Sequence, residues 1–317
     1  MNISSPLYVA RRVLLDALEA LAEHRRALIL VGAQAVYAHT DDADLEVIAP
    51  YTTDADLSID PARIADEPTI IAAMSSAGFQ LKNKGGAGGT EPGTWLMTTV
   101  VDGVATLVPV DLIIPEAFAT GHGRRDARLP GHGPLATRFA AGLEAALLNN
   151  EEMPIASLEP EVDSRTATIR VAGVAAVLVA KAHKVGERLT QPAKEHRIHA
   201  KDCGDVIRLM RSRTRPEIVA SRLGKIRLNE KCTASVDLGL DYLERHFGTP
   251  SATGVDLAVT ALASGLEEDT IRALAPAYIR TLRRQLERCR IRSDPTGLAP
   301  AASHCSTLMM YVSTIRA

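Results

Sequence analysis

The chain has 317 residues, 46% of them hydrophobic and 23% charged, and 36 basic against 38 acidic side chains give a formal net charge of −2. These proportions exclude a disordered, collagenous or disulfide-built chain, and the balanced charge excludes a general nucleic-acid coat while leaving room for a local basic patch. Four Phe, six Tyr and one Trp leave the core to aliphatic side chains, with too few rings for broad base-stacking platforms.

In chain order, residues 7–26 read as an amphipathic helix, with Val13, Leu14, Ala17, Leu18 and Leu21 at helical spacing. A β-type run, Ala27–Val31, ends at Gly32, and Ala33–Thr40 is helical again. Asp41–Pro50 is acidic and turn-like, and admits a short strand over Leu45–Ile48. Thr52–Ile59 alternates as a strand, with Asp54, Asp56 and Ser58 on one face and Ala55, Leu57 and Ile59 on the other. Glu67–Gly78 reads as a helix, and the glycines of Lys82–Gly93 as a loop. Trp95–Val101 and Val104–Ile114 read as a hairpin turned at Asp102-Gly103. Residues 115–135 look loop-like, and Val162–Val171 is one more strand. Helical patterns then run through 174–189, 200–212, 215–223, 233–246, 254–264 and 268–290, and a loose tail follows from Ser293.

Strands before helices predict an α+β chain: a mixed β-sheet domain with flanking helices over 1–172, a helical domain over 173–292 and a tail over 293–317. The four cysteines, Cys203, Cys232, Cys289 and Cys305, show no zinc spacing, which fits a reduced, cytoplasmic protein. The N-terminal stretch lacks the apolar segment of a signal peptide, and no apolar run reaches the roughly 20 residues that a membrane helix needs.

Four constellations carry chemistry. Asp54 and Asp56, at i and i+2 of a strand, face the same way and can reach one cation or a pair of cations. Asp111 is the only charge of an apolar strand, and burying it alone would cost several kcal/mol, a cost that a shared cation removes. Solvated strand-face acids are the bland alternative, and Asp42 and Asp44 form a rival pair closer to Gly32. Val31-Gly32-Ala33-Gln34 is a strand, a glycine turn and a helix start, whose free N–H groups suit a triphosphate, although such turns are commonly structural. Lys181, Lys184 and Arg188 share one helix face, and Asp202 and Asp205 stand at i and i+3 on the next, a pattern that salt-linked helix faces also produce. His196 and His199 have helix-like spacing but no third ligand, so no metal is assigned there.

In this order the segments Gly32-Ala33-Gln34-Ala35, Thr52–Leu57, Asp111, Lys181/His183/Arg188 and Lys201-Asp202/Asp205 resemble the nucleotidyltransferase superfamily, and within it the AbiEii/MenT-type nucleotidyltransferase toxins, over about residues 25–210. Ala33 stands where many such proteins have Ser, and Pro50 and Tyr51 replace a basic residue often found before the acid pair. The resemblance implies transfer of a nucleoside monophosphate from an NTP to an acceptor hydroxyl, with Mg²⁺ held by Asp54 and Asp56 and with Asp111 completing the metal site or acting as general base. Lys181 would neutralise the triphosphate, with Asp202 near it. Gly32, Ala33, Gln34, Thr52, Lys184 and Arg188 would contact the nucleotide. It further implies an RNA or tRNA 3′ end as acceptor and an antitoxin protein as partner. Basic residues at Arg208, Arg211, Arg213, Arg215, Arg222, Lys225 and Arg227, and at Arg280, Arg283, Arg284 and Arg288, offer an RNA face or a solvated surface. A small-molecule nucleotidyltransferase and a non-catalytic nucleotide- or protein-binding relative remain the other readings.

Overall fold

The structure, a computed structural model, describes residues 6–40, 53–85, 89–101, 103–121, 125–190 and 200–293. Thr52, the rival pair Asp42 and Asp44, the strand expected at Leu45–Ile48, His196 and His199, and the tail beyond Ser293 lie outside these residues.

Helix α1 (Pro6–Ala20) leads through a 3-10 helix, Ala22–Ala27, into strand β1 (Leu28–Val31) and helix α2 (Gly32–Ala38). The single helix expected over 7–26 is therefore split. His24 turns inward at the break, where its Nε2 meets the carbonyl oxygen of Pro68 at 2.8 Å. Strand β2 (Ala55–Ile59) and helix α3 (Ile70–Ser76) follow, and α3 starts at Thr69, whose hydroxyl accepts from the Ala72 N–H.

The stretch expected as a loop over 82–93 holds strand ends instead. β3 (Gln80–Asn83) and β4 (Thr90–Val101) pair up to Asn83 and Thr90, and Gly93 lies within β4 itself. β4 and β5 (Val104–Pro115) form the expected hairpin in continuous register from Thr94–Asp111 to Val101–Val104, with Gly103 left-handed at φ +80. Three elements show no advance pattern: β6 (Arg138–Ala140), α4 (Glu144–Leu148) and β7 (Asn150–Ala156). β8 (Thr166–Ala172) closes the set.

The sheet runs β3–β4–β5–β2–β1–β8–β7, with β6 also pairing β5. It is mixed: β2–β5, β1–β8 and β5–β6 are parallel, and the remaining pairs antiparallel. Alternate residues of β5, Val110, Leu112 and Ile114, are buried on the side that α1 covers. Burying each such aliphatic side chain contributes about 1.5–3 kcal/mol, which fixes the face of the strand.

Helices follow: α5 (Val174–Thr190), α6 (Ala200–Arg211), α7 (Pro216–Ile226), α8 (Glu230–Phe247), α9 (Thr253–Leu262) and α10 (Glu268–Ser293). α5 packs on α6, α7 and α8 and also reaches α2, so one buried apolar cluster joins sheet and helices. Cys203 and Cys232 are free and buried. Among the described residues no helix is long and apolar enough to cross a membrane.

Candidate active site

One row of residues crosses four strands. Val31 of β1 pairs with Asp56 of β2, Asp56 with Asp111 of β5, and Asp111 with Thr94 of β4. Residues paired across neighbouring strands point to the same face. All four line one cavity of about 390 Å³, joined by Asp54, which stands just before β2. The register thus brings Asp54, Asp56 and Asp111 together from positions 57 residues apart in sequence, as the alternation of both segments requires.

Gly32 sets the close approach beneath Asp56. Its φ is +67, and a Cβ built there would stand 2.0 Å from Asp56 Oδ2. The glycine turn therefore serves the carboxylate directly. Ala33 and Gln34 do not reach the cavity: both are buried, and Gln34 Oε1 accepts a 2.7 Å hydrogen bond from Arg11 Nε in the interior. These two side chains belong to the core, and the contact expected at this helix start is one of backbone N–H groups.

Asp111 has partners of its own. Its Oδ1 accepts from Thr94 Oγ1 at 2.7 Å, and its Oδ2 accepts from Arg138 Nη2 at 2.7 Å. Arg138 reaches it because β6 lies beside β5, with Ile113 opposite Arg138. That approach depends on Gly93, at φ +67, where a Cβ would meet the Arg138 backbone nitrogen at 2.4 Å. Arg138 supplies the countercharge that the sequence suggests for a cation, and nothing in the sequence marks it beyond a lone arginine in Thr137-Arg138-Phe139.

Asp56 behaves differently. Burial, with Asp54 and Asp111 as like charges, pushes its carboxyl up to about 6, against the pull of Lys184 and Arg138. Asp54 and Asp56 are hard oxygen donors of like charge, a pair that suits a divalent cation. Asp111 is already engaged, and among the described residues no group of three metal-ligating side chains converges. The expected carboxylate trio is here a pair beside an ion-paired third acid.

The opposite wall is α5. Val177, Lys181, Lys184 and Arg188 recur at helical spacing along it and line the cavity. Their charges gather on α6. Lys181 Nζ donates to Asp202 Oδ1 at 3.1 Å and to Asp205 Oδ2 at 2.7 Å. Asp202 also takes Arg188 at 2.6 Å and Lys184 at 3.2 Å. Asp202 sits far below the ordinary carboxylate range: these three cations outweigh its burial. Lys181 is only 3% exposed, so its ammonium belongs to the α5–α6 core. Lys184, 40% exposed at its side chain, is the α5 cation that acts on Asp56.

The expected basic face is partly dissolved. Arg208 is buried, 3.6 Å from Asp205 and over the Tyr37 ring. Arg227 pairs with Asp237, and Arg283 with Asp241 and Glu244. Arg280, Arg284 and Arg288 are exposed on α10.

No protein-family model and no curated protein sequence matches the chain. Among solved structures it is similar to an antigenic nucleotidyltransferase-like protein from Paracoccidioides brasiliensis, at 15% identity and a TM-score of 0.38, over 74% of this chain and 94% of that one.

Proposed function

We propose that the chain is a nucleotidyltransferase that moves a nucleoside monophosphate from an NTP to an acceptor hydroxyl. The observation that carries this reading is the carboxylate row of Asp54, Asp56 and Asp111 facing Lys184 and Arg188 across one cavity. Asp54 and Asp56 would hold a divalent cation such as Mg²⁺, which when bound neutralises triphosphate charge and lowers the pKa of the acceptor hydroxyl. Lys184 and Arg188 receive the β- and γ-phosphates, in place of the Lys181 first expected there. Arg138 holds Asp111 in line with Asp56 and adds positive charge beside the transferred phosphoryl group. The acceptor oxygen bonds to the α-phosphorus, the bond to the bridging oxygen breaks, pyrophosphate leaves and the hydroxyl proton is released to water.

An RNA 3′ end is the acceptor we favour, with the exposed arginines of α10 as backbone contacts. The test is incubation of the purified protein with each α-labelled NTP and either total RNA or a pool of small hydroxylated compounds. Label in RNA, lost in Asp56→Ala, is the expected result. Label in a small compound alone replaces the acceptor. No transfer to either, or transfer that survives Asp56→Ala, removes the enzymatic reading.

A further inference from the structure

A second cavity, of about 1040 Å³, opens at the other end of the same strands. Val31, at the end of β1, faces the acids, whereas the start of β1 leads away from them. Arg170 of β8 pairs beside Ile29, and Arg63 follows the end of β2. Arg25 and Arg26 come from the 3-10 helix that enters β1. All four arginines line this cavity.

Their charge is poorly compensated within the fold. Arg63 Nε meets Asp60 Oδ2 at 3.1 Å. Arg25 donates to the Leu18 carbonyl, and Arg170 Nη2 to that of Arg26, which are neutral acceptors. Glu23 and Glu152 also line the cavity, and Glu152 acts on Arg170 through its charge; among the described residues the ion pair of this cluster is Arg63 with Asp60. The Nε of Arg170 is buried without a hydrogen-bond partner. Burial and the neighbouring Arg63 hold the Arg170 guanidinium below its usual range, against the pull of Asp60 and Glu152. Clustered guanidinium groups with a buried donor left over are a costly arrangement for a fold alone. An oxyanion with several acceptor oxygens in the cavity offsets the mutual repulsion of the four guanidinium groups that line it, because guanidinium forks match phosphate geometry.

We propose that Arg25, Arg26, Arg63 and Arg170 form a binding site for a phosphate-bearing ligand, separate from the carboxylate cavity. The ligand chemistry is a phosphoryl oxyanion, from a free phosphate compound or from an RNA backbone. The site stands whether or not the acid cavity transfers nucleotides.

The experiment titrates sodium pyrophosphate and a labelled short single-stranded RNA into the full chain, with EDTA present to silence any metal-dependent binding. Wild type is compared with Arg170→Gln, with the charge reversal Arg26→Glu/Arg63→Glu, and with Arg245→Gln, an exposed arginine of α8 outside both cavities. Arg26 and Arg63 are exposed, so the reversal leaves folding intact even where Arg170→Gln does not. The reversal is expected to weaken binding by roughly tenfold or more, since each charge-assisted hydrogen bond lost is worth about that factor. Arg245→Gln is expected to leave it within about twofold, because Arg245 lines neither cavity. Pyrophosphate binding that weakens in the reversal variant assigns the site to free phosphate compounds. RNA binding whose salt slope falls in the reversal variant assigns it to a nucleic-acid backbone. Binding of neither probe to wild type, or equal affinity in wild type and reversal variant, overturns the proposal.

Discussion

Asp56→Asn is expected to stabilise the protein, and only above the carboxyl's own titration. Burial and the neighbouring acids push Asp56 from an ordinary 3.8 up to about 6. Below about pH 3.8 the carboxyl is protonated in both folded and unfolded chains and costs nothing. Between the two values the folded chain binds more protons than the unfolded one, so stability falls as pH rises. Above about pH 6 both forms are ionised and the fold bears the full penalty. At about 1.36 kcal/mol per pH unit this amounts to about 3 kcal/mol. With an unfolding entropy of about 2.1 cal/mol/K per residue over 317 residues, removing it raises Tm by roughly 4 °C. Thermal melts of wild type and variant with EDTA, at about pH 8 and about pH 4, measure the difference. The gain belongs to the higher pH and is mostly lost at the lower. A gain of equal size at both, or a loss at about pH 8, would refute the reasoning. Mg²⁺ added at about pH 8 is expected to raise the Tm of wild type and leave Asp56→Asn unmoved, because only the charged pair gains a countercharge.

Three further outcomes follow from the same contacts. Lys181→Ala leaves Asp205 buried without its 2.7 Å partner and is expected to cost about 3–5 kcal/mol, measured by urea unfolding; a variant as stable as wild type would place Lys181 outside the buried network. Gly32→Ala combines about 1–2 kcal/mol of left-handed backbone strain with a Cβ 2.0 Å from Asp56 Oδ2, so Asp56 must swing outward. Its melts should show a lower Tm and a smaller pH dependence than wild type, and a full-sized pH dependence counts against that packing. Arg138→Gln removes one of the two cations that hold Asp56 down, so the Asp56 midpoint should move above about 6 in a carboxyl-carbon NMR titration, where an unmoved midpoint contradicts the electrostatic link.

What could be read from the sequence was whatever had a period. The alternation through Asp54, Ala55, Asp56 and Leu57 announces a strand with its acids on one side, and Asp111 stands out as a charge among aliphatic neighbours. The lysine and arginine spacing of α5 likewise declares a shared face. What that face meets depends on where α6 docks, so Lys181 read as a cavity cation although Asp202 and Asp205 enclose it. Arg138 was hidden because β6 has three residues, too few for a pattern. The stretch at Lys82–Gly93 misled because backbone pairing at Asn83 and Thr90 needs no side-chain signature. Ala33 and Gln34 were read through helix N-terminus chemistry, while their side chains follow the packing of α2 against Arg11 and the core.

The row from Val31 through Asp56 and Asp111 to Thr94 makes the site a matter of parity. Each strand offers the cavity every second residue, so the row survives only while the count of residues from the Gly103 turn to Asp111 stays matched to the count from Thr94 to that turn. Deleting one residue from β5 ahead of Asp111, near the exposed tip at Val104, would turn the carboxylate into the aliphatic layer beneath α1 and bring Leu112 to the cavity. Deleting one residue from each arm of the hairpin restores the pairing at Thr94 and Asp111 and shortens only the tip. Length changes at this distant turn are therefore tolerated in pairs and damaging singly, although no residue there touches the acids.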